Sequence, residues 1–131
     1  MKSEYINIRG TTTRNLVKYA YDTYDEVAMA ELGFRYLAGR KVRKNVRKAD
    51  YWFGLAAGAG SGYACYMLGQ MAECNVGQFK GDDAAFYWYA MGAGLEDNEC
   101  LNQLGIMYAS GISVEVDEER AIELFTKAVE V

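Results

Sequence analysis

The chain of 131 residues contains no histidine and no proline. Without histidine it lacks the commonest general base, the commonest transition-metal ligand and the side chain that titrates near neutral pH. Without proline it lacks the residue that most strongly interrupts a helix. Acid–base catalysis would have to rely on paired carboxylates, and no glycine-rich phosphate loop is present. We therefore expect no enzymatic activity, no metal and no cofactor.

Cysteine is scarce, and long apolar runs are missing. Cys65, Cys74 and Cys100 make an odd number without the C-x2-C spacing of a zinc site. Free, inert thiols in a reducing compartment fit this pattern better than a disulfide framework. The chain has no run of about 20 apolar residues that could span a membrane, and no apolar segment typical of a secretory signal near its start. These features predict a cytoplasmic protein without membrane attachment.

Charge is unevenly distributed along the chain. The formal net charge is −4, with a balance of +3 over residues 1–95 and −7 over residues 96–131. Six basic residues form a candidate docking loop for an acidic protein: Arg40, Lys41, Arg43, Lys44, Arg47 and Lys48. A loop that is merely solvated is the alternative interpretation. We do not expect a nucleic-acid partner, because the domain is acidic overall and aromatic residues do not alternate with the basic ones.

A period of 36 residues is the strongest positive signal in the sequence. The pair Leu-Gly recurs at Leu32-Gly33, Leu68-Gly69 and Leu104-Gly105. Three further sets of residues keep the same spacing: Ala49, Ala85 and Ala121; Trp52, Trp88 and Leu124; Phe53, Tyr89 and Phe125. Self-similarity at this period is typical of stacked supersecondary units, which usually bind other chains over an extended surface.

Each unit reads as a pair of amphipathic helices. Ala28, Leu32 and Tyr36 lie on one face of a first helix, which we call helix A. A second helix, helix B, carries the apolar spacing i, i+3, i+4, i+7 from Ala49 to Ala56. The sequence therefore predicts an all-α superhelix of about three and a half hairpins. We expect one domain, divided into a lead-in at 1–10 (partly extended at 5–8), a half-repeat helix at 11–25, and repeats at 26–61, 62–97 and 98–131.

The recurring glycines lie in the middle of helix A, where glycine costs roughly 1 kcal/mol relative to alanine. Three such glycines in register require a steric reason. We expect each to be contacted by an aromatic ring of helix B in its own unit: Phe53 at Gly33, Tyr89 at Gly69 and Phe125 at Gly105.

The last unit differs from the others on helix B. Four large apolar residues of the earlier units are expected to be covered by the following unit: Tyr51, Leu55, Tyr87 and Met91. Their counterparts in the last unit are Glu123 and Lys127. Because terminal repeats need a polar outer face, we expect the stack to end with this helix.

These residues resemble the Sel1-like repeat, a longer-looped relative of the tetratricopeptide repeat. The pattern is carried in unit one by Ala28, Leu32, Gly33, Tyr36, Gly39, Val42, Asn45, Ala49, Trp52, Phe53, Ala56 and Ala57, and in unit three by Leu104, Gly105, Tyr108, Gly111, Val114, Asp117 and Ala121. Unit two has Ala72 and Asn75 at the tyrosine and loop-glycine positions, so we expect an irregular hairpin there. The cysteines lack the regular placement of the secreted, cysteine-rich branch of the family.

The resemblance implies a right-handed α-solenoid that acts as an adaptor or scaffold, without naming a ligand. By analogy with groove positions of tetratricopeptide repeats, the concave face would present Phe34, Leu37, Tyr63, Tyr66, Gln70, Glu73, Asn102 and Ile106. Aromatic rings beside amide and carboxylate groups suit a bound peptide or helix. The alternative is that the helix at 12–24, or solvent alone, covers these residues.

The predicted function is that of a non-enzymatic protein–protein interaction module that binds its partner on the concave face, and a small inhibitor or immunity-type protein is the alternative. We expect a monomer or weak dimer in solution.

Overall fold

The computed structural model describes residues 6–131, and within them the chain forms seven α-helices and no β-strand. The helices are α1 (Thr13–Thr23), α2 (Glu26–Ala38), α3 (Val46–Gly58), α4 (Gly62–Glu73), α5 (Asp82–Gly94), α6 (Asn98–Ser110) and α7 (Glu118–Glu130). Helices α2, α4 and α6 are the A helices, and α3, α5 and α7 are the B helices. The predicted all-α repeat fold is confirmed.

The 36-residue period is present in the backbone itself. The A helices begin at residues 26, 62 and 98, and the B helices begin at residues 46, 82 and 118. Left-handed backbone conformations recur at the same spacing, in three sets: Tyr24, Gly60 and Glu96; Gly39, Asn75 and Gly111; Lys41, Gly77 and Ser113. Because helix bounds and turn conformations share one period, each unit is a copy of one hairpin.

The hairpin of unit two is more regular than expected. Asn75 adopts the left-handed conformation (φ 57°) that Gly39 and Gly111 adopt in the other units, and asparagine tolerates this conformation better than most residues. The N–H of Gly81 donates to the carbonyl of Ala72, as the N–H of Asn45 donates to that of Tyr36 in unit one. The remaining irregularities are small: α4 ends one residue early, and α5 begins without a side-chain cap.

The predicted lead-in and half-repeat helix have different outcomes. Residues 1–5 lie outside the described residues, and Ile8–Gly10 form a turn instead of an extended segment. The backbone N–H of Gly10 donates to the carbonyl of Asn7, which closes this turn. Helix α1 covers most of the predicted half-repeat helix and buries Leu16 and Ala20.

Aromatic rings of the B helices lie directly on the glycines of the A helices, as predicted. A Cβ atom added to Gly33 would lie 2.6 Å from the ring of Phe53, and one added to Gly105 would lie 2.7 Å from the ring of Phe125. A Cβ atom on Gly69 would clash with the ring of Tyr89 in the same way. The glycines therefore allow the two helices of each hairpin to approach closely.

A second close approach joins units two and three. A Cβ atom on Gly92 of α5 would clash with the Sγ atom of Cys100 and would lie 3.1 Å from the Cβ atom of Cys65. Both thiols are buried, whereas Cys74 is exposed, and all three are free. Burial, with a smaller effect of Asp97, raises the pKa of Cys65 to about 11. The buried thiols therefore stay protonated near neutral pH and fill space between the units.

The expectation that four B-helix residues face the next unit is wrong for Tyr51 and Tyr87, whereas Leu55 and Met91 are half-buried against the core. Tyr51 and Tyr87 are exposed, and the Tyr51 hydroxyl lies 3.1 Å from the hydroxyl of Tyr21 on the preceding helix α1. The residue before each tyrosine faces the following unit instead. Asp50 accepts a hydrogen bond from the backbone N–H of Gln78. One residue corresponds to about 100° around a helix, so a shift of one position places the side chain on a different face of the helix.

The outer face of α7 is correspondingly less polar than expected. Glu123 and Lys127 line a cleft beside α5 and α6, and Lys127 forms an ion pair with Glu96 (3.3 Å). Ile122, the counterpart of Asp50, is 63% exposed, and Val129 is 85% exposed. The prediction that Glu123 and Lys127 form the polar end face is therefore incorrect.

The ring-on-glycine contact predicts opposite effects for two glycine substitutions. Gly69→Ala places a methyl group against the Tyr89 ring, and we expect it to lower the free energy of unfolding by about 1–3 kcal/mol. Gly54→Ala is the matched control, because no atom lies within 4 Å of a Cβ atom added in the middle of α3. The control should gain up to about 1 kcal/mol. Urea unfolding monitored by circular dichroism measures both, and equal effects would contradict the contact.

Candidate functional site

The predicted binding residues lie on the surface formed by the A helices, where α2 contacts α4 and α4 contacts α6. We call this surface the A-helix face, defined by Phe34, Leu37, Tyr63, Tyr66, Gln70, Glu73, Asn102 and Ile106. Tyr63 and Ile106 are 45% and 44% exposed. The side chains of Phe34, Leu37, Tyr66, Gln70 and Asn102 are half-buried, and Glu73 is exposed. The face therefore has apolar side chains within reach of solvent in all three units.

Two of its polar residues have partners within the protein. The Gln70 Nε2 donates to the Tyr89 hydroxyl (2.8 Å) and to Glu73 Oε1 (3.3 Å), and the Tyr89 hydroxyl donates to Glu73 Oε1 (2.6 Å). Burial, and then the hydrogen bond to Glu73, raise the pKa of Tyr89 far above its usual range. The three groups form a closed set of hydrogen bonds, which satisfies the hydroxyl of a buried ring.

Comparison of the units explains why this polar cluster occurs only in unit two. Tyr89 occupies the position that Phe53 and Phe125 occupy in the other units, and these rings carry no hydroxyl. Phe34 and Leu37 stand in unit one where unit two has the polar pair of Gln70 and Glu73. Gln70 and Glu73 therefore support their own hairpin, and the exposed apolar residues dominate what remains of the face.

A cleft of about 430 Å³ lies at the N-terminal end of the A-helix face. Its lining comes from the lead-in, from α2 and its C-terminal loop, and from the start of α4: Ile8, Arg9, Val27, Ala30, Glu31, Phe34, Arg40, Ser61 and Tyr63. The lead-in, which lies outside the repeats, thus forms one wall of a cleft in the predicted binding surface. Neither α1 nor the described part of the lead-in, residues 6–10, covers the exposed ring of Tyr63.

A buried arginine holds the lead-in against unit one. Arg35 is completely buried, and its Nε donates to Glu31 Oε2 (2.9 Å) while its Nη1 donates to Thr13 Oγ1 (3.1 Å). Its Nη2 donates to the backbone carbonyls of Ile8 (2.9 Å) and Arg9 (3.1 Å). Charge-assisted hydrogen bonds of this kind compensate for the burial of a cation.

Sequence reasoning missed Arg35, although the repeat register contains a signal for it. The counterparts of Arg35 are Met71 and Met107, and both are buried. A cation at a position that is apolar and buried in the other copies requires local polar partners. The lead-in provides two of them as carbonyl groups, but no periodicity in the sequence predicts where the lead-in lies.

The six residues of the predicted basic loop divide into different roles. The Lys41 Nζ donates to the carbonyl of Arg9 (3.0 Å), and the Lys48 Nζ lies 5.4 Å from the centre of the Tyr36 ring. Arg40 lines the cleft described above. Arg43, Lys44 and Arg47 are exposed, and Arg47 lies beside a depression that also contains Asp50, Gly77 and Gln78. All six residues are exposed, and the role of the loop as a docking surface stays a prediction.

Asp50 is a further polar residue that sequence reasoning missed. It is buried, and its Oδ2 accepts a hydrogen bond from the backbone N–H of Gln78 in the next unit (2.9 Å). Burial raises the pKa of Asp50, and the hydrogen bond opposes that rise. The counterpart Phe86 instead packs on Tyr108, with ring centres 5.9 Å apart. The same repeat position therefore joins units one and two by a hydrogen bond and joins units two and three by packed aromatic rings.

The described part of the chain contains neither a metal-binding cluster nor a membrane-spanning helix. Across residues 6–131, no group of three or more histidine, cysteine, aspartate or glutamate side chains is placed to hold a metal ion. Over the same residues, no helix combines the length and the apolar character that a membrane span requires.

The helical hairpins and their common packing define the chain as an α-helical repeat protein. The Sel1 repeat model matches residues 27–61, 62–97 and 98–130. The chain therefore belongs to the Sel1 repeat family, whose members generally act as protein–protein interaction scaffolds. Among curated proteins, none matches the sequence significantly.

Solved structures of this family are similar to the chain over most of its length. A Sel1 repeat protein from Oxalobacter formigenes is 32% identical, with a TM-score of 0.80 over 89% of this chain and 87% of that protein. The protective antigen c5321 of uropathogenic Escherichia coli is 30% identical, with a TM-score of 0.84 over 92% of this chain but only 26% of the antigen. Cysteine rich protein B of Helicobacter pylori is 29% identical, with a TM-score of 0.65 over 92% of this chain and 91% of that protein.

The role assigned to Arg35 predicts the effect of replacing it with the residue of the other units. Arg35→Met should keep the hairpin packed but remove the side-chain donor of the Ile8 carbonyl and leave the Arg9 carbonyl with Lys41 alone, at a cost of about 3 kcal/mol. Trypsin should then cleave after Arg9 at least tenfold faster than in the wild type. Arg14→Met, at an exposed position of α1, is the control and should change neither quantity. Unchanged cleavage after Arg9 in Arg35→Met would show that another contact holds the lead-in.

Proposed function

We propose that this chain is a non-enzymatic adaptor that binds a partner protein or peptide on the A-helix face. The observation that carries the proposal is the exposure of large apolar side chains in successive units, with Tyr63 and Ile106 each nearly half exposed. Large apolar groups exposed on one surface in neighbouring units are typical of an interaction site. Gln70 and Glu73 are committed to Tyr89, so Tyr63, Tyr66 and Ile106 are the residues that would contact the partner.

Two kinds of partner are compatible with this surface, and affinity separates them. A flexible peptide in the groove would bind with micromolar affinity. In the alternative function, the chain is a small inhibitor or immunity-type protein that blocks a toxin, effector or defence protein. That complex would bury about 1,600 Å² or more and bind with nanomolar affinity. The adaptor function is favoured by the family, whose repeats generally form scaffolds.

The proposal includes a cytoplasmic location and a monomer or weak dimer that does not bind nucleic acid. The cytoplasmic location is supported by the three free cysteines, because free thiols persist in reducing compartments.

The direct test compares two exposed surfaces of the same protein. The double variant Tyr63→Ser with Ile106→Ser removes apolar groups from the A-helix face and should reduce capture of partner proteins from the native host at least tenfold. Tyr87→Ser is the control on the other surface, because Tyr87 is a ring on helix α5 that is even more exposed than Tyr63. Circular dichroism checks that both variants keep their helices. Loss of capture by the Tyr87 variant alone would move the binding surface to the B helices.

A further inference from the structure

The cleft at the N-terminal end of the A-helix face combines an apolar floor with a basic rim. Ile8, Val27, Ala30 and Phe34 supply the apolar surface. A volume of about 430 Å³ falls in the range of small binding pockets, which is roughly 300–1,000 Å³. The cleft therefore has room for one or two bulky apolar side chains of a partner.

The charges of the lining favour an acidic ligand. The lining contains two basic side chains, Arg9 and Arg40, and one acidic side chain, Glu31. Glu31 already accepts a hydrogen bond from Arg35, so its negative charge is compensated by a buried cation. Arg9 and Arg40 are exposed and give the rim a positive charge. Complementary charges steer a partner to the site and fix its orientation.

The basic rim is held in place by the packing of the lead-in. The backbone carbonyl of Arg9 accepts hydrogen bonds from Arg35 Nη2 (3.1 Å) and Lys41 Nζ (3.0 Å). The backbone that carries the Arg9 side chain is therefore fixed beside the α2 surface before any ligand arrives. Preorganisation of this kind lowers the entropic cost of binding.

We propose that this cleft binds an acidic segment of a partner protein by one apolar side chain flanked by carboxylates. The apolar side chain would enter between Val27 and Phe34, and the flanking carboxylates would pair with Arg9 and Arg40. The inference rests on the proposed function and specifies the chemistry of the partner. An apolar floor beneath two arginines suits such a peptide better than a nucleic-acid backbone, whose phosphates offer no apolar group for the cleft.

The test uses the peptide Asp-Glu-Leu-Glu-Asp-amide, labelled with fluorescein at its N-terminus, with anisotropy as the readout. We expect saturable binding to the full chain that weakens with added salt. Replacement of the leucine by serine should weaken binding at least fivefold, and replacement of all four acids by lysine should abolish it. Equal binding of the acidic and basic peptides, or binding of a uridine heptamer in preference to the acidic peptide, would overturn the proposal.

Variants of the protein locate the binding site. Arg9→Glu and Arg40→Glu should each weaken binding of the acidic peptide at least fivefold, whereas Arg14→Glu on α1 is the matched control and should not. Thermal melting checks that each variant is folded. If Arg9→Glu and Arg40→Glu capture the host partner normally while Tyr63→Ser with Ile106→Ser does not, this inference fails and the proposed function stands. If the A-helix variants also capture normally, the proposed function fails as well.

Discussion

The close contact between an aromatic ring of each B helix and a glycine of each A helix is the constraint on which the rest of the structure depends. Phe53, Tyr89 and Phe125 occupy the space where a side chain on the opposing helix would lie. This contact sets the distance between the two helices of a hairpin, and hairpins of the same geometry then stack with one period. The glycines lower helix propensity, but the hairpin recovers that cost through the burial of the ring.

Departures from the period show where this chain differs from a uniform stack. Arg35 replaces a buried methionine of the other units and attaches a segment from outside the repeats. Tyr89 replaces a phenylalanine and commits Gln70 and Glu73 to its hydroxyl. The first departure builds the wall of the cleft, and the second removes two polar groups from the binding surface. The apolar and basic character of the proposed site follows from both.

The repeat period and the ring-on-glycine contacts could be predicted from the sequence, because each depends on local helix geometry. The sequence was a poorer guide to which residues of the B helices face the following unit. Tyr51 was expected to face the following unit, and a difference of one residue places Asp50 there instead. The position of Ile8 and Arg9 was beyond prediction, since the lead-in lies outside the repeat. Comparison with Met71 and Met107 could have identified Arg35 as a departure from the repeat, but it could not have predicted which carbonyl groups Arg35 contacts.

The most direct test of the central contact is a double-mutant cycle between Gly33→Ala and Phe53→Leu, measured as free energies of unfolding. The methyl group of Gly33→Ala should destabilise the wild type, because it meets the Phe53 ring at 2.6 Å. In the Phe53→Leu background it should cost much less, giving a coupling energy of about 1 kcal/mol or more. Additive effects of the two substitutions would show that the ring does not determine the need for glycine and would contradict the account.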